Sequence, residues 1–216
     1  MKNSKILVTG MSGLIGGLAG RQLAQNYDVS ALGRSNVEGF PNSIVDIGDG
    51  IDSILPALDG VETVIHMAGS RGNVPAETHI KANVTGVYNL FEACRITGVK
   101  RIVAASTGAV IAGYEKDEPY KSLVHDPDFE MPSQRPVITV DSPVRPRNVY
   151  SASKMFTENL GRMYTEQHDM SIICIRIGKV EIDDVPLNAR NASVWCSHRD
   201  ILQMIDKAVH AADDLK

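Results

Sequence analysis

The sequence has 216 residues, of which 43% are hydrophobic and 22% are charged, as in an ordinary globular domain. Its formal net charge of −4 gives no basic surface that would attract nucleic acid or an anionic membrane. No segment approaches the ~20 apolar residues of a membrane span, and no leader sequence is expected. The three cysteines lie in separate segments without a CxxC pair. We therefore expect one cytoplasmic domain over residues 1–216, with no structural metal.

Strand-like and helix-like runs alternate along the chain. Apolar, β-branched runs predict six buried strands, at residues 5–8, 28–32, 44–45, 61–67, 101–105 and 171–177. Longer runs predict helices at residues 14–25, 51–58, 77–97, 150–167 and 198–212. Strands that are apolar on both faces belong to a parallel sheet that is covered on both sides. The sequence therefore predicts an α/β fold with a doubly wound, mainly parallel sheet and helices on both faces.

Residues 114–148 interrupt this alternation. The segment holds six of the ten prolines and shows no helical or strand period. A structureless stretch of this length is uncommon inside a compact domain and tends to be functional. We interpret it as a lid or substrate insertion, and the alternative is an insertion without a role.

The first predicted strand leads into a glycine-rich turn, TGMSGLIG, with glycines at Gly10, Gly13 and Gly16. A pyrophosphate needs backbone N–H groups at close range, and glycine allows that approach at a helix N-terminus. The spacing is GxxGxxG, not the GxGxxG of many NAD dehydrogenases. The turn is typical of dinucleotide binding, and the alternative is a tight strand–helix connection.

Tyr150 and Lys154 lie four residues apart and so share one face of a predicted helix. A phenol is a poor base at neutral pH, because its unperturbed pKa is about 10. A nearby cation favours the phenolate form and so makes proton transfer possible. This pair is a candidate for general acid–base catalysis, and the alternative is an ordinary surface pair.

Polar and small residues follow the other predicted strands, where ligands of open α/β sheets bind. Thr107 and Gly108 follow the fifth strand, where a hydroxyl can hold a substrate oxygen. His66-Met67-Ala68-Gly69 ends the fourth strand, and its small residues allow a ribose to pass close. Asp46 follows the third strand and Asn83 lies on the next helix. Each of these residues taken singly is compatible with a structural role.

In this order, the motifs resemble those of the extended short-chain dehydrogenase/reductases, the NAD-dependent epimerase/dehydratase family. The resemblance covers nearly the whole chain and is greatest to the branch of uronate and aldose dehydrogenases. It is carried by TGxxGxxG, Asp46-Ile47, HMAG, Asn83, Ser106-Thr107 and YxxxK, and by residues 83–90, 158–164 and 190–198.

The resemblance implies roles for particular residues. Thr107, Tyr150 and Lys154 would be catalytic, with Thr107 orienting the reacting oxygen and Lys154 also holding the nicotinamide ribose. Cofactor contacts are implied at Gly10, Met11, Ser12, Gly13, Leu14, Ile15, Gly16, Gly33, Arg34, Ser35, Asp46, Ile47, Met67, Ala68, Gly69, Asn83, Ala105, Tyr150, Lys154 and Ile177. Substrate contacts are implied at Ser70, Thr107, Gly108 and Arg190, the last within a substrate-side segment at residues 179–200. Arg190 would hold a substrate carboxylate, and the alternative is a surface arginine that balances Asp183 or Asp184.

The end of the second strand indicates which cofactor is used. An acidic residue there would bind the ribose 2′-hydroxyl of NAD. The sequence instead has Gly33-Arg34-Ser35, with no carboxylate before Glu38. Arginine can pair with a 2′-phosphate, so the sequence predicts NADP, with NAD less favoured.

The leading hypothesis is an NAD(P)-dependent dehydrogenase or reductase that acts on a sugar-like or other small hydroxyl or carbonyl substrate. The alternatives are a nucleotide-sugar epimerase or dehydratase with tightly bound NAD, and a dinucleotide-sensing regulatory protein. In the family a larger substrate subdomain usually follows the sixth strand, whereas here one helix follows, so we expect a small, truncated substrate region. A homodimer is expected by analogy.

Overall fold

The computed structural model describes residues 4–126, 128–130, 132–134, 136–212 and 215. Six strands form one sheet in the order β3-β2-β1-β4-β5-β6, and every neighbouring pair is parallel. The strands are β1 Lys5–Thr9, β2 Asp28–Gly33, β3 Asn42–Ile44, β4 Val61–His66, β5 Arg101–Thr107 and β6 Ser171–Ile177. The predicted parallel α/β sheet is confirmed, with β3 lying two residues earlier than expected at its start.

Seven α-helices occur in the described residues: α1 Leu14–Leu23, α2 Ala76–Ile80, α3 Gly86–Thr97, α4 Tyr120–His125, α5 Val149–Gln167, α6 Ala189–Ser193 and α7 His198–Val209. The expected helix at 51–58 is only a 3₁₀ turn at Leu55–Leu58, with a second such turn at Ile47–Asp49. The expected helix at 77–97 is divided by a π-helical turn at Lys81–Thr85. The extra residue of a π turn disturbs the 3.6-residue period only locally, so the apolar pattern continues across it.

Apolar side chains cover both faces of the sheet. On one face, Leu90 and Phe91 of α3 and Leu160 of α5 pack on inward residues of β1, β4, β5 and β6. On the other face, Leu23 of α1 and Ile201 of α7 pack on the alternate residues of the same strands. Burial on both faces explains why the strands read as continuous apolar runs.

The insertion at 114–148 is more ordered than the sequence predicts. A 3₁₀ segment runs from Gly108 to Lys116 and α4 follows it. The N–H of Gly113 donates to the carbonyl of Arg145 (2.7 Å), and the N–H of Arg145 donates to the carbonyl of Val110 (2.8 Å). The expectation of a structureless stretch is therefore wrong for these parts, because the short turns have no readable period and gain their order from this backbone pairing.

Candidate functional site

The glycine turn lies at the carboxyl edge of the sheet, between β1 and α1. Gly10 has φ +69°, and a Cβ built there would lie 2.6 Å from the backbone N of Ala68. Only glycine fits this position, because both the dihedral angle and the space exclude a side chain. Gly13 is the N-cap of α1, makes no side-chain cap, and no acidic residue follows in the first turn. The first N–H groups of α1 therefore lack a capping side chain and can receive an anion.

Two of the residues predicted to contact the cofactor direct their side chains into the core. The Met11 side chain is buried against Gly20, where an added Cβ would lie 2.1 Å from the Met11 methyl carbon. Ile47 is buried beneath α3, and its carbonyl accepts from the Asn89 amide at 2.8 Å. Only the backbone groups of Met11 and Ile47 could contact a ligand.

Thr9 and His66 connect the ends of β1 and β4. The Thr9 hydroxyl accepts from the N–H of Ala68 (3.2 Å) and lies 2.8 Å from Nδ1 of His66. The tautomer of the imidazole decides whether the Thr9 hydroxyl donates to Nδ1 or accepts from it, and Nε2 has no hydrogen-bond partner among the described residues. Burial, with a smaller contribution from the charge of Lys154, lowers the pKa of His66 to about 3, so the ring is neutral. These contacts fix the backbone of Ala68, which lies against Gly10.

Asn83, on the π-helical turn, braces the loop that follows β4. Its amide oxygen accepts from the N–H of Ser70 (2.8 Å), and its amide nitrogen donates to the Ser70 carbonyl (3.0 Å) and to the Ser153 hydroxyl (2.9 Å). A Cβ on Gly69 would lie 2.8 Å from the Asn83 amide oxygen and 3.3 Å from Nζ of Lys154. Asn83 therefore joins the β4 loop to the helix that carries Tyr150.

A capping box fixes the start of α5 and thereby the position of Tyr150. The Asn148 side chain accepts from the N–H of Ser151 (2.9 Å), and the Ser151 hydroxyl accepts from the N–H of Asn148 (3.1 Å). One turn further on, Lys154 is buried and its Nζ donates to the carbonyl of Ala105 at 2.8 Å. Burial lowers the pKa of Lys154 to about 8.

Thr107 ends β5 directly beside Ile177, the last residue of β6. Its hydroxyl accepts from the N–H of Ala109 at 3.2 Å, and Gly108 lies against the Ile177 carbonyl. The neighbouring Ser106 points to the opposite face, where its hydroxyl donates to Glu158 at 2.5 Å. The Thr107 hydroxyl therefore lies on the face of the sheet opposite to the hydrogen bond between Ser106 and Glu158.

His79 is a site residue that the sequence analysis missed. It lies on α2, four residues before Asn83, and its ring centroid is 5.7 Å from that of Tyr150. The ring is 4% exposed, and its Nδ1 is buried without a hydrogen-bond partner in the described residues. The signal that could have found it is the four-residue spacing to Asn83 on one helix face.

At the other end of the site, Asp46 accepts from the N–H of Gly48 (2.9 Å) and lies 3.3 Å from Nζ of Lys81. The Gly48 hydrogen bond, with help from Lys81 and the charge of Arg34, holds the pKa of Asp46 below its usual value. Arg34 and Ser35 follow β2 and are exposed. Among the described residues, Arg34 makes no hydrogen bond or ion pair.

Arg190, on α6, does not balance Asp183 or Asp184, so that alternative is wrong. Its guanidinium instead hydrogen-bonds Glu115, which lies in the 3₁₀ segment after β5. Arg147 donates to the other carboxylate oxygen of Glu115, at 3.2 Å. Sequence reasoning missed Glu115 and Arg147, because neither lies in a recognisable motif.

The described residues fit a dinucleotide at this edge of the sheet. Uncapped N–H groups at α1 and the buried ammonium group of Lys154, which lies against Gly69, are both at the carboxyl edge of the sheet. The fold and the site together define a Rossmann-type nucleotide-binding protein with a tyrosine–lysine pair. No helix in the described part of the chain is both long and apolar enough to cross a membrane.

Residues 6–181 match the model of the NAD dependent epimerase/dehydratase family, and the chain belongs to that family. It is 29% identical to an NAD-dependent glucose-6-phosphate dehydrogenase of Haloferax volcanii, over 97% of this chain and 81% of that protein. It is also 29% identical to an L-arabinose 1-dehydrogenase (NAD(P)(+)) of the same organism, over 97% of this chain and 84% of that protein.

Solved structures agree with these relatives. The crystal structure of uronate dehydrogenase from Agrobacterium tumefaciens superposes with a TM-score of 0.82 at 28% identity, covering 100% of this chain and 74% of that chain. A mutant of that enzyme complexed with NAD superposes with a TM-score of 0.80 at 27% identity, covering 96% of this chain and 72% of that chain. The predicted family, and its branch of uronate and aldose dehydrogenases, are confirmed by these comparisons.

Proposed function

We propose that this protein is an NAD(P)-dependent oxidoreductase that moves a hydride between nicotinamide and a small sugar. The observation that carries the proposal is the position of Lys154. Its ammonium group is buried, bonded to Ala105 and adjacent to Gly69, so it lies where the ends of β4 and β5 meet. Tyr150 is on the same helix, one turn earlier. A buried lysine one helical turn from a tyrosine is an arrangement suited to proton transfer.

Each catalytic residue has a distinct task in this proposal. The bound nicotinamide supplies the hydride acceptor or donor. Tyr150 takes the proton from the substrate hydroxyl during oxidation and returns it during reduction. Lys154 stabilises the phenolate electrostatically, and Thr107 orients the reacting oxygen by a hydrogen bond.

The test is turnover with a panel of sugars of different charge. The purified chain is incubated with NADP⁺ or NAD⁺ and with D-glucuronate, D-glucose 6-phosphate, L-arabinose or D-glucose, and formation of reduced nicotinamide is followed by absorbance. We expect net oxidation of at least one sugar. Tightly retained NAD without net turnover would point instead to an epimerase or dehydratase, and the absence of both would leave a sensing role.

The cofactor proposed is NADP, with NAD as the weaker ligand. Arg34 and Ser35 are exposed where β2 ends, and the β2 residue Gly33 lies close to Gly10 of the nucleotide turn. A guanidinium that makes no hydrogen bond within the described structure can pair with a 2′-phosphate. The similar L-arabinose dehydrogenase is named for both cofactors, which supports a site that accepts either.

A homodimer is also proposed. Tyr88 and Ile96 on α3 and Met163 on α5 are exposed, although large apolar residues on a helix are usually buried. A second copy that packs its α3 and α5 on the same surface would cover them by two-fold symmetry. Light scattering during gel filtration measures the mass directly, and Tyr88→Glu should shift a dimer toward monomer.

A further inference from the structure

The imidazole ring of His79 packs against the phenol ring of Tyr150. The two ring centroids are 5.7 Å apart, and the ring planes are inclined by 49°. The His79 ring is buried where α2 packs on α5, whereas Tyr150, in the first turn of α5, is only half-buried. The phenol therefore has a buried aromatic ring against it and remains partly accessible.

Contacts of the ring decide where the Tyr150 hydroxyl points. Among the residues that the structure describes, none forms a hydrogen bond with this hydroxyl. Its direction then depends on the two side-chain torsions of Tyr150, which the groups packed on the ring restrict. Aromatic pairs prefer tilted or offset arrangements, so the contact with His79 also favours a particular angle between the ring planes.

The segment that carries His79 also holds the backbone of Tyr150. Asn83, four residues later on the π-helical turn, donates from its amide nitrogen to the Ser153 hydroxyl at 2.9 Å. The Ser153 hydroxyl donates in turn to the Tyr150 carbonyl at 2.7 Å. One continuous segment, residues 76–85, is therefore linked to Tyr150 at two points, through Ser153 to its main chain and through His79 to its ring.

The imidazole of His79 is not the side chain that stability alone would favour. Its Nδ1 is buried without a hydrogen-bond partner in the described part of the chain. An unpaired buried polar atom destabilises a fold, and an apolar side chain of similar size in its place is neutral or stabilising. Stability and ring contact therefore depend in opposite ways on the residue at position 79, so their effects can be measured separately.

From these contacts we propose that His79 is a positioning residue for Tyr150. Its ring holds the phenol in the orientation in which the hydroxyl meets the reacting oxygen of the substrate. The inference rests on the proposed function, because it concerns the proton transfer assigned there to Tyr150. Misplacing a catalytic group by about 1 Å can cost roughly 10²-fold in rate, so the ring contact has a large effect on kcat.

Steady-state kinetics of three variants test the ring contact. The variants are His79→Leu, His79→Phe and, as the matched control, Ile80→Ala, which changes the exposed neighbouring residue on α2. The assay uses NADP⁺ and a sugar that the wild type oxidises. His79→Leu should lower kcat roughly 10- to 100-fold and leave both KM values within about 2-fold, because the binding contacts remain. His79→Phe restores a ring and should return kcat to within about 3-fold of the wild type. Ile80→Ala should change neither constant.

Urea unfolding separates positioning from packing. His79→Leu removes the unpaired Nδ1, so its unfolding midpoint should equal or exceed that of the wild type although its kcat is lower. A residue needed only for packing would lower kcat and the midpoint together. That parallel loss, an unchanged kcat in His79→Leu, or equal kcat values in His79→Leu and His79→Phe would each overturn the inference.

Carbon relaxation of the Tyr150 ring tests the positioning without turnover. The ring carbons of the six tyrosines are labelled with ¹³C, and the Tyr150 signal is the one that Tyr150→Phe removes. The order parameter of this ring should fall by at least about 0.2 in His79→Leu and recover in His79→Phe. A fall in a protein that oxidises no sugar would contradict the proposed function and support the ring contact. An unchanged order parameter in His79→Leu would show that His79 does not hold the phenol.

Discussion

The ammonium group of Lys154 donates a hydrogen bond to the backbone carbonyl of Ala105 at a distance of 2.8 Å. This hydrogen bond connects α5 to β5 near the carboxyl end of the strand. Lys154 is almost fully buried there, and no carboxylate is among the groups that shift its pKa. The protein therefore keeps a costly charged group at this position, which is typical of a functional site.

Burial of Lys154 predicts a stability that depends on pH. Its pKa is about 8 in the folded chain and 10.5 when unperturbed. Below pH 8 the buried lysine is charged and costs stability. As the pH rises from about 8 to 10.5, the folded chain releases the Lys154 proton before the unfolded chain does, so the free energy of unfolding increases. His66, with a folded pKa of about 3, does not titrate there in the folded chain, whereas Cys174, with a pKa of about 12 when folded and 9.0 when unperturbed, loses its proton there only in the unfolded chain, so a comparison with a variant that keeps Cys174 is needed.

The measurement compares urea unfolding of the wild type and Lys154→Met without cofactor. Between about pH 6.5 and about pH 9.5, the wild type should gain about 2 kcal/mol relative to the variant. The variant carries no titrating group at this position and so serves as the baseline. A difference that stays constant with pH would mean that Lys154 is not desolvated in solution.

Tyr150→Phe removes the phenol hydroxyl and keeps the ring that packs on His79. Turnover of any accepted sugar should fall by at least about 10²-fold, because the proton-transfer group is lost. Cofactor affinity should stay within a factor of about two, since the ring and Lys154 remain. Tyr88→Phe is the control, because Tyr88 is exposed on α3. Near-normal turnover in Tyr150→Phe would exclude Tyr150 as the proton donor.

The sequence predicts those parts of the site that depend on local geometry. The glycines at positions 10, 13 and 16 predict a nucleotide-binding turn. A positive φ and a helix N-terminus each depend on only a few consecutive residues, so the sequence reveals them. Tyr150 and Lys154 read as a pair, because four residues make about one helical turn. The alternation of strands and helices likewise gives the sheet class without further information.

The remaining parts depend on tertiary contacts, which leave no local pattern. Glu115 and Arg190 are 75 residues apart, and Thr9 and His66 are 57 apart, so neither pair has a spacing signal. The side chains of Met11 and Ile47 enter the core, which their place in the motif does not reveal. Family resemblance assigns positions to a cofactor, but packing decides whether the side chain or the backbone can reach it.

Gly10→Ala should abolish tight cofactor binding and destabilise the fold. The left-handed conformation costs a non-glycine residue roughly 1–2 kcal/mol, and forcing the new methyl against Ala68 adds roughly 1–3 kcal/mol. Gly39→Ala is the matched control, because Gly39 has φ +84° with nothing within 4 Å of the added methyl. It should show the backbone cost alone and keep cofactor affinity. Chemical denaturation and cofactor titration measure both effects, and equal losses in the two variants would contradict the argument from space.

Arg34→Ala tests the proposed preference for NADP. Arg34 lies at the exposed end of β2, and its charge reaches Asp46, whose carboxylate is already held by Gly48 and Lys81. The guanidinium is therefore not needed to neutralise Asp46 and can pair with a 2′-phosphate. Loss of that charge-assisted bond should weaken NADP binding about 10-fold and change NAD binding by less than about 2-fold.

Arg162→Ala, which removes an exposed arginine paired with Glu166 on α5, should change neither affinity. Fluorescence titration with NADP and with NAD gives two dissociation constants for the wild type and for each variant. Tighter binding of NAD than of NADP by the wild type, or an equal loss for both cofactors in Arg34→Ala, would show that Arg34 does not read the 2′-phosphate.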